Sequence, residues 1–177
     1  MVVRAWLPVP GTTTGRLVEA ALELFGVQGY AAVPVTAIAA RAGVTTGPLY
    51  HHFKDKAGLY TVVRTDVEQR VLDRIEAAAS LRPVHSTGDL TPVLLTGYDY
   101  LVTARLTRLL AEDPPTNTGT PDVVEQTIDQ ILHATPPLGF LVAAAWRAAL
   151  WRAGNGPDAA LQARNSFAHL LAGPTTD

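Results

Sequence analysis

The spacing of apolar residues along this chain predicts a protein built from helices. Apolar side chains recur every three or four positions, which is the period of one face of an α-helix. The segments with this period are residues 14–28, 35–42, 46–53, 56–80, 93–112, 122–134, 137–153 and 157–172. We therefore predict an all-α fold.

Two segments interrupt this pattern. Residues 81–92 and 113–121 concentrate proline, glycine, serine and threonine, and proline removes a backbone donor that a helix needs. We predict a linker in each. The connection between segments 35–42 and 46–53, by contrast, is short. Residues 35–53 are therefore predicted to form a compact unit of their own.

That unit consists of two short helices joined by a tight turn. Gly43 follows the last periodic residue of the first helix, where glycine adopts a left-handed conformation at little cost. The hydroxyl of Thr45 or Thr46 is predicted to cap the second helix. Pro48 fits its first turn, and Leu49 faces the core. This is the pattern of a helix-turn-helix, whose second helix lies in the DNA major groove.

The sequence around this unit carries a more specific motif. Ala42-Gly43-Val44 is followed by Leu49-Tyr50, then by His52-Phe53 and by Lys56, within the run IAARAGVTTGPLYHHFKDKAGL. This run resembles the DNA-binding signature of the TetR family of bacterial transcriptional regulators, and the resemblance covers residues 14–63. It implies an N-terminal three-helix helix-turn-helix DNA-binding domain (residues 14–60) and a C-terminal helical ligand-binding and dimerisation domain (61–177), with residues 1–13 as a disordered arm.

The same resemblance assigns candidate DNA contacts. They are Thr45, Thr46, Gly47, Pro48, Tyr50, His51 and His52 on the recognition helix, with the ammonium of Lys56 on a phosphate. Pro34 stands where the family usually has a serine or threonine, so we expect Thr36 to take over that contact or to lie free in solvent. Local packing remains an alternative for His52. The charge distribution agrees, since the first 60 residues carry a net +2 in a chain of net −2.

For the C-terminal part, the resemblance implies an effector pocket and a homodimer formed by the last two helices. The candidate pocket residues are Tyr98, Leu101, Val102, Leu106, Ile128, Phe140, Trp146 and Trp151. Such an apolar, aromatic set suits a small lipophilic effector, although for any single residue ordinary core is the favoured explanation. Residues 137–153 are apolar nearly all round, which favours burial on several sides and hence a dimer over a monomer.

Other kinds of chemistry lack a sequence signal. The chain has no cysteine, which excludes disulfides and thiol catalysis and suits the cytoplasm. His51 and His52 are adjacent on a helix and cannot chelate one ion. No nucleophile or nucleotide-binding motif is present, and no apolar run approaches the roughly 20 residues of a membrane span. We predict no cofactor, no metal, no membrane partner and no enzymatic activity.

Together these observations predict a sequence-specific DNA-binding transcriptional regulator. It would be a repressor that binds a near-palindromic operator in double-stranded DNA as a homodimer and is released by a small molecule. One alternative is a helical small-molecule-binding protein or enzyme with a vestigial DNA-binding head. Another is an architectural protein that binds DNA without sequence preference.

Overall fold

The computed structural model describes residues 8–113, 122–133 and 137–173, and these residues form nine helices. The helices are α1 (Thr13–Gln28), α2 (Val35–Ala42), α3 (Gly47–Phe53), α4 (Lys56–Ser80), α5 (Thr87–Thr103), α6 (Thr107–Ala111), α7 (Val123–Leu132), α8 (Gly139–Ala153) and α9 (Pro157–Ala172). No strand occurs among the described residues, and the all-α prediction is confirmed. Residues 1–7 of the predicted arm and 114–121 of the second predicted linker lie outside the described residues.

Helices α1 to α3 form a small unit at the N-terminus, which we call the head. The Thr12 hydroxyl caps α1 by accepting the Gly15 N–H at 3.0 Å. Helix α2 ends at Gly43, whose φ of +66° is left-handed as the sequence predicted. Phe25, Ile38 and Leu49, one from each helix, are fully buried and give the head its core.

Helix α4 connects the head to helices α5–α9, which we call the body. The carboxylate of Asp55 caps it by accepting the Gly58 N–H at 2.8 Å. Leu59 near its start and Ile75 near its end are both fully buried within one continuous apolar cluster that contains residues of head and body. The head is therefore rigidly joined to the body, because α4 contributes to the packing of both. Within the described parts of the chain, no helix is long and apolar enough to cross a membrane.

The linker predicted for residues 81–92 is wrong in its second half, because α5 already begins at Thr87. Ser86 and Asp89 form a reciprocal capping box there: the Ser86 hydroxyl accepts the Asp89 N–H, and the Asp89 carboxylate accepts the Ser86 N–H at 3.0 Å. Pro92 lies inside α5 on an exposed face. A well-capped start therefore outweighs the one hydrogen bond that the proline removes.

The single helix predicted for residues 93–112 is also wrong, since the structure has two helices with a turn between them. Arg105, in this turn, has a φ of +59°, and the Leu106 N–H donates to the Leu101 carbonyl at 2.8 Å. Gly26 of α1 packs directly on the turn: a Cβ at Gly26 would lie 2.7 Å from the Arg105 carbonyl oxygen. The break is thus a tertiary feature, which the local sequence does not indicate.

The charged side chains of α4 do not all lie in solvent. Arg64 is buried, and its guanidinium donates to the carbonyls of Leu109 at 2.8 Å and Glu112 at 2.6 Å. These carbonyls belong to the last turn and the end of α6, where a helix leaves acceptors without intrahelical partners. Arg64 therefore joins α4 to α6.

Candidate nucleic-acid interface and adjoining cleft

Helix α3 presents almost its whole surface outward. Leu49 is its only buried residue, and it anchors the helix to the core. Tyr50 is 53% exposed, and the side chains of His51 and His52 on the next two positions are exposed too. Phe53, at the end of α3, is half-buried against the same core. A short helix that packs along one side and exposes the other is accessible to a large partner.

The threonines before α3 do not cap it, and this part of the sequence prediction is wrong. Thr46 occupies the N-cap position with a helical φ of −72°, and α3 has no side-chain cap. A side-chain cap usually requires an extended backbone, which Thr46 does not have. Among the described residues no hydrogen bond involves either threonine hydroxyl, so both hydroxyls are available to an external partner.

The predicted DNA contacts fall on one end of the head. Thr45, Gly47, Tyr50, His51 and His52 are exposed, and Thr46 and Pro48 are half-buried. The rings of His51 and His52 lie 4.9 Å apart in an edge-to-face arrangement. His52 therefore has a local packing partner, in agreement with the alternative considered for it.

Thr36 lies in the first turn of α2 and is exposed. Pro34 before it has the extended backbone of an N-cap residue, with a φ of −78°, and supplies no capping bond. The exposed hydroxyl of Thr36 is thus placed beside the uncapped start of a helix. Its contact with a phosphate stays a prediction.

Lys56 differs most from its expected environment. Its ammonium donates to the carbonyls of Tyr30 at 2.9 Å and Val33 at 3.1 Å, and it lies 4.1 Å from the centre of the Tyr30 ring. Two of its three N–H groups are therefore committed to the loop between α1 and α2. Sequence analysis missed this role because backbone carbonyls carry no residue-type signal. Lys54, the neighbouring lysine, is exposed.

The loop between α1 and α2 is also held from the body. The Glu112 carboxylate, at the end of α6, accepts the Tyr30 N–H at 2.9 Å. Tyr60 of α4 packs edge-on against Tyr30, with ring centres 5.0 Å apart, and donates its hydroxyl to the Leu109 carbonyl at 3.1 Å. Burial raises the pKa of Tyr60, and the neighbouring Arg64 guanidinium opposes that shift. The hydroxyl therefore stays protonated as a donor.

The residues predicted to line an effector pocket are not brought together. Those inside the core, with at most 4% exposure, are Tyr98, Leu101, Leu106, Ile128 and Trp146. Phe140 and Trp151 lie on the surface, and Trp151 carries the Arg108 guanidinium 3.9 Å above its ring. Trp146 and Trp151 thus face different sides of α8. The assignment of these eight residues to an effector stays a prediction.

A cleft of about 360 Å³ lies instead where the head meets the body, and we call it the junction cleft. Three separate segments form it: the end of α1, the α5–α6 turn and the α8–α9 turn. Its lining residues are Gly26, Val27, Val102, Arg105, Thr107, Ala153, Gly154, Gly156, Pro157 and Ala160. Of the predicted effector contacts only Val102 is among them, and no sequence motif points to Arg105 or Thr107.

Comparisons with known proteins agree on the head. The family model described as bacterial regulatory proteins, tetR family, matches residues 17–63. The HTH-type transcriptional regulator BetI of Cronobacter sakazakii is 36% identical over 69 residues, which are 39% of this chain and 33% of BetI. The HTH-type transcriptional regulator AcrR of Shigella flexneri is 33% identical over 101 residues, 56% of this chain and 46% of AcrR. The chain thus matches less than half the length of these relatives.

Solved structures resemble the whole chain in fold. The fatty acid degradation regulator FadR of Bacillus halodurans superposes with a TM-score of 0.64 at 15% identity, covering 91% of this chain and 98% of that one. A tetR family transcription regulator from Shewanella sp. PV-4 superposes with a TM-score of 0.57 at 22% identity, covering 90% and 96%. At these identities the likeness establishes a shared helical architecture of head and body.

Proposed function

We propose that this chain, whose residues 17–63 match the model of the tetR family of bacterial regulatory proteins, is a sequence-specific DNA-binding repressor of that family. The observation that carries the proposal is the exposure of α3, which packs on the core through Leu49 and Phe53 and presents Tyr50, His51 and His52 outward. In a helix-turn-helix protein the second helix occupies the major groove and its side chains contact base edges. The protein would act in the cytoplasm and would have no enzymatic activity.

The side chains of α3 suit a particular kind of contact. The helix has no arginine, asparagine or glutamine, so the bidentate pairing that reads guanine or adenine is missing from it. His51 can donate to guanine, the methyl group of Thr46 can contact thymine, and the Tyr50 hydroxyl can donate to a phosphate. Part of the specificity would then come from the shape of the DNA.

A homodimer is supported by the outer surface of α8 and α9. Phe140, Leu141 and Trp151 on α8, with Leu161 and Leu170 on α9, are between 49% and 63% exposed. Several large apolar side chains exposed on two helices that pack against each other are candidates for an interaction surface. A two-fold dimer through these helices would place two α3 helices on a near-palindromic site.

Release by a small molecule would require that the head respond to the body. Lys56, Arg64 and Glu112 link the two by hydrogen bonds. A ligand that binds two arrangements of the protein unequally shifts their populations, and the spacing of the two heads would change with them. The contacts among α1, α4 and α6 support this part of the proposal, because a movement of the body would reach the head through them.

The test is the binding of purified protein to labelled DNA from the region beside its own gene, against scrambled DNA, at two salt concentrations. We expect specific binding that weakens at higher salt, since phosphate contacts release counterions. His51→Ala should lower the preference for the specific site about tenfold, the ratio that about 1.4 kcal/mol produces. His85→Ala, which removes an exposed histidine from outside the head, is the matched control.

Two results would contradict the proposal. Equal binding to both DNAs would indicate an architectural protein that binds DNA without reading sequence. The absence of binding at either salt, by a folded protein from which bound small molecules have been extracted, would indicate a DNA-binding head without function. Equal losses on specific and scrambled DNA for His51→Ala would remove His51 from base recognition.

A further inference from the structure

We propose that the junction cleft binds a small organic anion with an apolar body, and that Arg105 and Thr107 hold its carboxylate. A medium-chain monocarboxylate has this chemistry. Binding is inferred from the cleft itself, and only its effect on DNA binding rests on the proposed function. The site differs from the aromatic set considered in the sequence analysis, since Val102 is the one residue they share.

The apolar part of the ligand is indicated by the walls of the cleft. Val27 of α1, Val102 of α5, and Ala153, Pro157 and Ala160 from α8 and α9 face it. The volume of about 360 Å³ is within the range of small-molecule sites, which are mostly apolar with a few placed polar groups. A hydrocarbon body of modest length would fit against these small side chains.

The anionic part is indicated by two polar side chains without partners. The guanidinium of Arg105, an exposed residue that lines the cleft, makes no hydrogen bond or ion pair with any described residue. Thr107 is only 6% exposed, and within the described chain its hydroxyl has no hydrogen-bond partner either. The Thr107 hydroxyl is not sealed off from solvent, so it is open to an oxygen of a ligand that enters the cleft.

The two groups are matched to a carboxylate. They lie two positions apart across the α5–α6 turn and line the same cleft. A guanidinium offers parallel N–H donors to the two oxygens of a carboxylate, and the threonine hydroxyl adds a third donor. A neutral ligand with the same apolar body would leave the guanidinium without a charged partner.

The position of the cleft gives ligand binding a mechanical consequence. Gly26 and Val27 belong to the head, whereas Arg105 and Thr107 belong to the body. Contact between these parts is already tight, since a Cβ at Gly26 would also lie 2.7 Å from the Leu106 side chain. A ligand placed between them would shift α1 relative to α6, and with it the orientation of α3.

The test uses octanoate as the probe and 1-octanol as a neutral ligand with the same body, each titrated calorimetrically into the full chain. We expect octanoate to bind at least tenfold more tightly than 1-octanol. Arg105→Gln and Thr107→Val should each weaken octanoate severalfold, and the arginine change should have the larger effect. Arg82→Gln and Thr103→Val are matched controls at exposed positions outside the cleft lining, and they should change nothing.

Three results would overturn the inference: no octanoate binding by the folded chain, equal affinity for octanoate and 1-octanol, or octanoate affinity unchanged in both cleft variants. Titration of DNA on the same preparation separates this inference from the proposed function. Octanoate binding that depends on Arg105, in a chain that binds no DNA, would support the cleft and contradict the repressor. Specific DNA binding without octanoate binding would support the repressor and contradict the cleft.

Discussion

The side chain of Lys56 lies between the head and the first turn of α4, with its ammonium on the carbonyls of Tyr30 and Val33. We expect Lys56→Ala to lower the free energy of unfolding by about 2 kcal/mol, because hydrogen bonds from a charged group are worth more than neutral ones. Thermal unfolding followed by circular dichroism measures this. Lys54→Ala, at an exposed position nearby, is the control and should leave the midpoint unchanged.

Lys56→Ala should also weaken binding to every DNA sequence alike, since the loop that positions α2 would loosen. A variant with unchanged stability but uniformly weaker DNA binding would show instead that the ammonium contacts phosphate directly. Loss of preference at one base pair would contradict both roles.

Tyr98 makes the stability of the body depend on alkaline pH. Burial, with a smaller contribution from the charge of Asp99, raises its pKa to about 12, and its hydroxyl donates to the Ala160 carbonyl at 2.7 Å. The unfolded chain ionises this tyrosine near its ordinary pKa of 10.0. The stabilisation is therefore complete below pH 10 and is lost as the pH rises through 12.

We expect Tyr98→Phe to cost about 1 kcal/mol at neutral pH, the worth of a typical hydrogen bond. Its deficit relative to the unsubstituted protein should shrink between pH 10 and pH 12, since phenylalanine does not ionise. Urea unfolding at several pH values measures both quantities. Tyr50→Phe removes an exposed hydroxyl and should show neither effect, and a deficit that stays constant with pH would contradict the assigned ionisation.

Most helix ends in this protein are set by residues at the ends themselves. The other ends are set by contacts with distant parts of the chain. The predicted bounds of α2, α4 and α9 agree with the structure because Gly43, Asp55 and Pro157 are local end signals. The break at Arg105 has no such signal, because it depends on the close approach of Gly26 from a distant part of the chain. Pro92 does not mark the start of α5, because the capping box of Ser86 and Asp89 begins the helix before it.

Pro92 should still carry a cost within α5. It removes one backbone hydrogen bond from a helix interior and gains nothing from burial, as its face is exposed. We expect Pro92→Ala to stabilise the protein by about 1 kcal/mol, less than the full cost of an interior proline because it lies near the helix start. Thermal unfolding measures this as a raised midpoint.

Pro83→Ala is the control, at an exposed position outside any helix. There the same exchange only enlarges the conformational freedom of the unfolded chain, so the midpoint should stay the same or fall slightly. A lower midpoint for Pro92→Ala would mean that the ring stabilises the start of α5 by fixing its backbone.

For the whole molecule, the outer face of α8 and α9 determines the expected assembly. Leu161 is 59% exposed on α9, and a carboxylate there would have to be desolvated in a dimer interface. We expect Leu161→Glu to convert the dimer to a monomer at micromolar concentration, as measured by sedimentation equilibrium. DNA affinity should fall with it, because the two half-sites are then bound independently.

Leu81→Glu is the control, since Leu81 is 87% exposed but lies outside both helices. It should remain dimeric. A monomer before any substitution would contradict the proposed interface, as would a Leu161→Glu variant that stays dimeric.

The sequence predicted the exposed surface of α3 but not the junction cleft. The cleft is formed by residues that lie far apart along the chain. The candidates on α3 lie within one helix and its preceding turn, so the helical period alone orients them. The cleft joins residues 26–27, 102–107 and 153–160, which only folding brings together. The buried role of Arg64 is equally hard to predict from sequence, because its partner is a backbone carbonyl of another helix.

Both backbone polar groups of Tyr30 are bound by residues from beyond the head. Its N–H donates to the carboxylate of Glu112, just after α6, and its carbonyl accepts from the ammonium of Lys56 in α4. An amide held in this way exchanges its hydrogen with solvent only when the contact opens. The exchange rate of this single amide therefore reports how often the contact between the end of α6 and the α1–α2 loop opens. The measurement needs neither an attached probe nor bound DNA. A molecule that loosens the attachment would speed exchange at Tyr30 while the amides of the buried core stay protected.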